Sequence, residues 1–333
     1  MRVVYSIGRY HGQARRICDA VLAELARRGW LRQRRFHDDA DAAIPDCDLF
    51  HGHSVLSLAT LRHLRRHRPG ARLVLQRDSA HIACPAYADE IALRRGGPWE
   101  PLAVQTPNTL PDKIPAQTEE YALADFVLLP STYAAATFAA HGYPAERIRI
   151  VPLAAGDEFQ PAAALGLPEP PFRIVLGGRA TLTKGFPYAA EACALVGEPL
   201  DVLAGLPFEA MPGELARRSV CLAPSITDGM NHQVLAAMAC GLVPIVSTAT
   251  GARDLIAPGV NGFVVDLAAG DPVGEIAGRL RWLRENPEER KRMGRRAREA
   301  VAGRSWQDYG REVCDGYAEM MAPTPPRAAA GAP

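Results

Sequence analysis

The strongest constraint on how this chain can fold is an alternation, made twice over, of short apolar runs with stretches of helical periodicity. In the first series VVYSI (3–7), DLFHGH (48–53), RLVLQ (72–76), FVLLP (126–130) and RIRIVPL (147–153) read as strands. In the second, FRIVLGG (172–178), LDVLAG (200–205), SVCLAP (219–224), VPIVST (243–248) and GFVVD (262–266) do so. Helical spacing separates them: a helix over 13–28 places Ile17, Val21, Leu22 and Leu25 on one face, and others are expected over 58–67, 132–141, 187–196 and 233–240. Charged helices fill 272–302, and a last helix covers 306–321. Strands alternating with helices predict an α/β architecture of parallel sheets. The Pro-, Gly- and Ala-rich stretch 154–171 predicts a linker between a domain over 1–153 and one over 172–305, with the last helix returning to the first domain and a disordered tail over 322–333. Ligands of open α/β sheets bind beyond the carboxyl ends of the strands. The loops to inspect are therefore 8–13, 51–54, 77–84, 178–185, 205–208, 225–232 and 248–251.

Composition excludes several classes. No stretch of about 18 uninterrupted apolar residues occurs, which argues against a membrane-spanning helix. MRVVYSIGRYHG reads as a first buried strand rather than a signal peptide. The cysteines Cys18, Cys47, Cys84, Cys193, Cys221, Cys240 and Cys314 are scattered and never form C-x-x-C, which argues against a disulfide framework or thiolate zinc site and fits a reducing cytoplasm. The net charge of +1 hides an asymmetry, because residues 1–77 hold 15 Arg and no Lys against 7 acids, a balance of +8. The arginines cluster in RRGWLRQRR (27–35) and LRHLRRHR (61–68). They read as solvated helix faces and turns, or as a patch for peripheral contact with an anionic membrane or acceptor. The runs lack interleaved aromatics, which turns the reading away from nucleic acid.

Two segments carry most of the chemistry. The loop GGRATLTKG (177–185) leaves a strand with Arg179 and Lys184, two cations suited to a diphosphate, while Gly178 lets the backbone approach a ligand. It is not a P-loop, since G-x-x-x-x-G-K-[ST] is absent. In CLAPSITDGMNHQVLAAMACGLVPIVSTATGARDLI (221–256), Asp228 and Gly229 form a turn before a helix whose N-terminus faces the loops. The backbone at Gly229, Met230 and Asn231 can meet hydroxyl or phosphate oxygens there.

These pieces, in this order, resemble glycosyltransferase family 4 and its relatives with the GT-B fold, two Rossmann-like domains facing each other across a cleft. GGRATLTKG is similar to the family's G-R-…-K-G loop, and APSITDGMNHQVLAAMACGLVPIVSTATGARDLI to its P-S-x-x-E-G-…-E-A-x-A-x-G-x-P-V-I segment. GVNGFVVD (259–266), SWQDY (305–309) and ADFVLLPSTYAAATFAAHGYPAERIRIVPLAAGDEF (124–159) extend the likeness over about 120–320. The resemblance implies a retaining transfer of sugar from a nucleotide sugar to a hydroxyl acceptor (a glycan, a lipid-linked glycan or a small molecule), with no cofactor and no essential metal. Arg179 and Lys184 would stabilise the departing diphosphate. Asp228, in the place of the family's first Glu, would contact the donor sugar; an Asx-type turn before Gly229 is its structural alternative.

The sequence departs from the family eight residues on, where the second Glu, which usually holds the ribose, is Ala236. Asn231, His232 and Gln233 are the nearby polar candidates, and Gly205, Leu206, Pro207 and Phe208 offer backbone groups and a ring to the base. Ala236, with a shortened stretch between Ala204 and Ser219, also motivates the alternative of a catalytically impaired binding or partner subunit. LVLQRDSAHI (73–82) resembles an E-R-[GD]-S-x-H segment of a subset of the family, which implies that His81 lines the cleft with Arg77 and Ser79 nearby. Gly8 and Gly12, in SIGRYHG, match the place of the family's Gly-rich first turn. His51 and His53, at i and i+2 on a strand end, read as cleft lining ahead of a metal pair, since no carboxylate or Cys pattern accompanies them. Glu119 and Glu120 read as a solvated helix face, and the lack of G-x-G-x-x-G after a strand argues against a dehydrogenase.

Overall fold

The computed structural model describes residues 1–7, 13–36, 44–86, 89, 97–105 and 109–322. Strands β1 (Val3–Ile7), β2 (Leu31–Phe36), β3 (Leu49–His53), β4 (Arg72–Gln76), β5 (Phe126–Leu129) and β6 (Ile148–Ile150) form one parallel sheet in the order β2-β1-β3-β4-β5-β6. Strands β7 (Ile174–Leu176), β8 (Leu200–Asp201), β9 (Val220–Ala223), β10 (Val243–Ser247) and β11 (Phe263–Val265) form a second, in the order β11-β10-β9-β7-β8. The central strands are buried on both faces, as parallel sheets covered by helices must be, which is why they read as unbroken apolar runs. In each sheet the strand order reverses beside the first strand (β1 and β7), and there the crossover helices change faces and leave a crevice.

Strand β2 corrects the sequence reading. LRQRRF lies inside the arginine cluster assigned to solvated helix and turn, yet it pairs with β1 along the sheet edge. Its signal was a period of two, with Leu31 and Gln33 half-buried between exposed Arg32 and Arg34, hidden under the charge count. Charged side chains on an edge strand also discourage pairing with another chain. Other arginines of the clusters are held in ion pairs: Arg62 with Glu119, Arg65 with Asp125, Arg68 with Asp46, and Arg27 and Arg28 with Glu24. In the second sheet, only Leu200 and Asp201 of the expected strand LDVLAG join the ladder.

Two contacts set how the halves meet. The Trp306–Met320 helix crosses back to lie on the Gln13–Arg27 helix, and Gly310 allows the approach, since a Cβ there would stand 2.5 Å from the Ala20 carbonyl oxygen. Arg28 bonds Asp315 at 2.6 Å, and the Tyr317 hydroxyl reaches His51 Nδ1 at 2.5 Å. On the other side, the N-terminus of the Thr132–Ala140 helix docks on loops of the second sheet. Ser131 Oγ donates to Gly229 O at 2.5 Å, and Asp254 accepts from Thr132 N and Oγ1 at 2.7 and 2.6 Å. Tyr133 donates to Thr227 Oγ1 at 3.0 Å. Gly229 meets the 78–79 loop so closely that a Cβ would lie 2.5 Å from Asp78 O and Ser79 Cα. Gly8, Gly12 and the tail beyond 322 lie outside the described residues.

Candidate active site

Between the two sheets, at the carboxyl ends of β3, β4 and β9, lies a cavity of about 350 Å³. Its first-domain wall carries His53, Gln76, Asp78 and Ser79, and its second-domain wall carries Lys184, Asp228 and Met230. The cations and carboxylates are placed by backbone that only particular residues permit. Strand β7 ends at Leu176, and the loop turns through Gly178 at φ 134° and Gly185 at φ 69°. A Cβ on Gly185 would stand 1.7 Å from the Pro224 carbonyl oxygen, so the loop lies against the end of β9. That contact delivers Lys184 Nζ to Asp228 Oδ2 at 2.5 Å, a half-buried ammonium on a buried carboxylate. Asp228 is held in turn by its backbone, whose N–H donates to Ala249 O and whose carbonyl accepts from Gly251 N.

The other site residues divide sharply. Arg77 lines the cavity, but its guanidinium donates to Ala80 O at 3.2 Å and to Gln117 Oε1 at 2.9 Å. Arg179 is exposed at the loop crest and makes no ion pair among the described residues. Asn231 caps the His232–Ala239 helix, accepting from Gln233 N at 3.1 Å, while its amide donates to Gly177 O at 2.6 Å. Gln233 Nε2 reaches Leu176 O at 3.3 Å. Both side chains therefore hold β7 and its loop in place. His232 differs, since its Nδ1 is buried without a partner and its ring stacks 6.3 Å from Trp306. Burial lowers the His232 pKa, with Asp78 and Asp228 opposing and Lys184 reinforcing that shift. Ala236, one turn along the same face, is 1% exposed in the core. Gly205, Leu206 and Pro207 stand exposed, and Phe208 borders a separate cavity of about 1120 Å³ with Trp306, Arg16 and Arg311.

Three sequence expectations fail on geometry. His81 does not line the cavity; its ring stacks 4.1 Å from His141, against Tyr121 and Phe138, and Nδ1 accepts from Ala83 N at 3.2 Å. Strand β4 ends at Gln76, and the turn that follows sends His81 back into the core of the first domain. His51 is fully buried, bonded to Tyr317, and burial holds its pKa well below 6.5, so of the two histidines only His53 reaches the cavity. Glu120 is buried rather than solvated, accepting from Val55 N at 2.7 Å, Ser57 N at 2.8 Å and Ser54 Oγ at 3.3 Å. It pins a loop in which Val55 sits at φ 83°, a strained conformation for a β-branched residue, directly after His53. No group of three or more His, Cys, Asp or Glu arranged to hold a metal occurs among the described residues.

Sequence reasoning missed Gln76 and Asp78. Gln76 Nε2 donates to Asp78 Oδ1 at 2.8 Å, fixing a second carboxylate across the cavity from Asp228. Their signal was positional: a polar Gln ending an apolar strand and an Asp two residues on, where ligands of this architecture bind.

Two parallel α/β domains facing each other across a cleft, with the site between them, define the GT-B fold. Within it, residues 168–300 match the family model of glycosyl transferases group 1. Among solved structures, the chain is similar to sucrose-phosphate synthase from Thermosynechococcus elongatus, at 16% identity and TM-score 0.71, covering 97% of this chain and 100% of that one. It is also similar to Anabaena HepE in complex with UDP-glucose, at 13% identity and TM-score 0.68 over 96% of this chain and 100% of that one. WaaG, a glycosyltransferase involved in lipopolysaccharide biosynthesis, aligns at 16% identity and TM-score 0.60 over 94% and 98%. At these identities the likeness establishes the fold. A search of curated proteins found no match. No described helix is long and apolar enough to cross a membrane.

Proposed function

We propose that this chain is a glycosyltransferase that moves a sugar, with retention, from a nucleoside diphosphate sugar to a hydroxyl acceptor. The observation that carries the reading is the Lys184–Asp228 pair, poised at the mouth of β7 and β9 and facing Asp78 across the interdomain cavity. A departing diphosphate gains negative charge, and a positioned ammonium in a partly dehydrated cleft stabilises that charge as it develops. Exposed Arg179, on the same loop, supplies a second cation for the phosphates. Asp228 accepts hydroxyl hydrogen bonds from the transferred sugar and, with Lys184 drawn toward the phosphates, stabilises positive character at the ring. The acceptor hydroxyl enters along the wall of Asp78, Gln76 and Ser79. In this reading the two cations supply the countercharge, with neither cofactor nor metal required. HepE binds UDP-glucose, which makes it the first donor to try.

A thermal-shift panel of UDP-, GDP-, ADP- and dTDP-sugars identifies the donor, because a ligand bound to the native state alone raises the melting temperature. Release of nucleoside diphosphate from that donor then measures turnover. Lys184→Ala should lower kcat by roughly 10²–10³-fold, the scale of losing one transition-state charge partner. Equal turnover in wild type and variant would overturn the assignment. A second reading, a binding or partner subunit of the same fold, is favoured by the buried Ala236, which leaves no carboxylate at that position. A donor that binds but is never consumed would select it.

A further inference from the structure

Away from the interdomain cleft, the second domain holds another pocket of about 350 Å³ between the linker and the Pro287–Val301 helix. One wall is the linker, with apolar Pro161, Ala162, Leu167 and Pro170 and the carboxylate of Glu169. The other is cationic, with Arg290, Arg295 and Arg298 from one helix converging on it. Two further cations on its border are neutralised: Arg218 by Asp201 and Glu214, and Lys291 by Glu169 and Glu288. The three helix arginines form no ion pair among the described residues, though the charge of Glu288 acts on Arg290 and Arg295.

Arg290 is the telling member. It is only 8% exposed, and a guanidinium taken that far from water ordinarily keeps a counter-charge. Among the described residues its one side-chain hydrogen bond goes from Nη1 to Leu283 O, the carbonyl end of the preceding helix, at 2.8 Å. Arg298 likewise uses Nη1 on Ala239 O, at the end of the His232–Ala239 helix, and Nη2 on Gln160 Oε1. Each therefore satisfies one helix C-terminus, whose partial charge is small. Arg290 also lines the pocket, its guanidinium lies 5.2 Å from the centre of the Phe172 ring, and the charges of Glu169 and Glu288 act on it without forming an ion pair. Gly294 and Gly241 make the site possible: a Cβ on Gly294 would stand 2.1 Å from Gly241 O, so only glycine lets the arginine-bearing helix lie this close to the turn.

We propose that this pocket is a binding site for a phosphate monoester with a small apolar body. Arg290, Arg295 and Arg298 hold the phosphate oxygens, and the proline- and alanine-rich linker covers the apolar part. Fork-shaped guanidinium donors match phosphate geometry, and the pocket volume suits a small ligand. Because one wall is linker and the other belongs to the second domain, an occupant fastens the hinge between the two halves. The site is independent of the sugar-transfer reading, since it shares no residue with the cleft.

Calorimetric titration and thermal shift of the full chain with phenyl phosphate, inorganic phosphate and sodium chloride at matched ionic strength test the site. Phenyl phosphate should bind more tightly than inorganic phosphate, and chloride should produce no shift. Arg295→Glu and Arg298→Gln should each weaken phenyl phosphate by roughly tenfold or more, the scale of one charged hydrogen bond. Arg295 is exposed, so its variant should keep the wild-type melting temperature without ligand. Lys184→Ala should bind as wild type does. Undetectable binding, binding unchanged in both arginine variants, binding no tighter for the ester than for free phosphate, or binding lost with Lys184→Ala each overturns the proposal.

Discussion

His81 should make this protein lose stability in mild acid while contributing nothing to turnover. Its side chain is 5% exposed and packed among His141, Phe138 and Tyr121. Burial first, then the charges of His141 and Arg77, hold its pKa at about 4 instead of 6.5. The folded chain thus refuses a proton that the unfolded chain accepts. Above the unfolded value both states are neutral and stability is complete. As pH falls through 6.5 the unfolded state gains a proton alone, and the loss grows until the folded state also protonates, at about 4. Between about pH 7.5 and about pH 4.5 the loss from this one group is roughly 2.5 kcal/mol, a sizeable part of a typical domain's stability. His81→Phe keeps a ring in the site and removes the titration. It also strands the Ala83 N–H, which costs about 1–3 kcal/mol regardless of pH. Urea denaturation of both chains at the two pH values isolates the titration, because every other group, the buried His51 included, cancels in the difference. Wild type should lose roughly 2.5 kcal/mol more than the variant on acidification. Equal losses would refute the reasoning, and a collapse of donor turnover in a folded His81→Phe chain would return His81 to the active site.

Three further outcomes follow from close contacts. Gly185→Ala places a Cβ 1.7 Å from Pro224 O on a residue at φ 69°, so urea denaturation should show a loss above about 2 kcal/mol. Gly229→Ala meets Asp78 O and Ser79 Cα of the facing domain at 2.5 Å. It should part the halves, giving a larger radius of gyration in solution scattering and lower donor turnover. Asp254→Ala removes the carboxylate that caps Thr132 across the domains, costing about 1 kcal/mol and speeding limited proteolysis in the 154–171 linker.

Much of the fold was legible because a strand buried on both faces must be apolar throughout. The runs at 3–7, 72–76 and 243–248 announced themselves on that ground alone. An edge strand has no such obligation, so LRQRRF at β2 looked like a charged turn. At the site, the glycines around Lys184 and the Asp228 turn were readable because their roles depend on local backbone geometry. Arg179 and Lys184 stood out in the same way, as cations on a loop leaving a strand.

What the chain order could not reveal is which neighbours each polar side chain meets. His81 and Asp78 lie three residues apart in one motif, yet the turn after β4 sends one into the core and the other into the cavity. Glu119 and Glu120 are adjacent, but one pairs with Arg62 in solvent and the other is buried beneath the Val55 turn. Asn231 and Gln233 read as polar loop residues, and only the fold brings the backbone of β7 and its loop within reach of their amides. The sequence by itself therefore determined the layered α/β architecture and the loop that carries the cations, because periodicity and glycine geometry are local. Tertiary structure alone decided which titratable groups face the cleft, because burial and partnership join residues far apart in the chain.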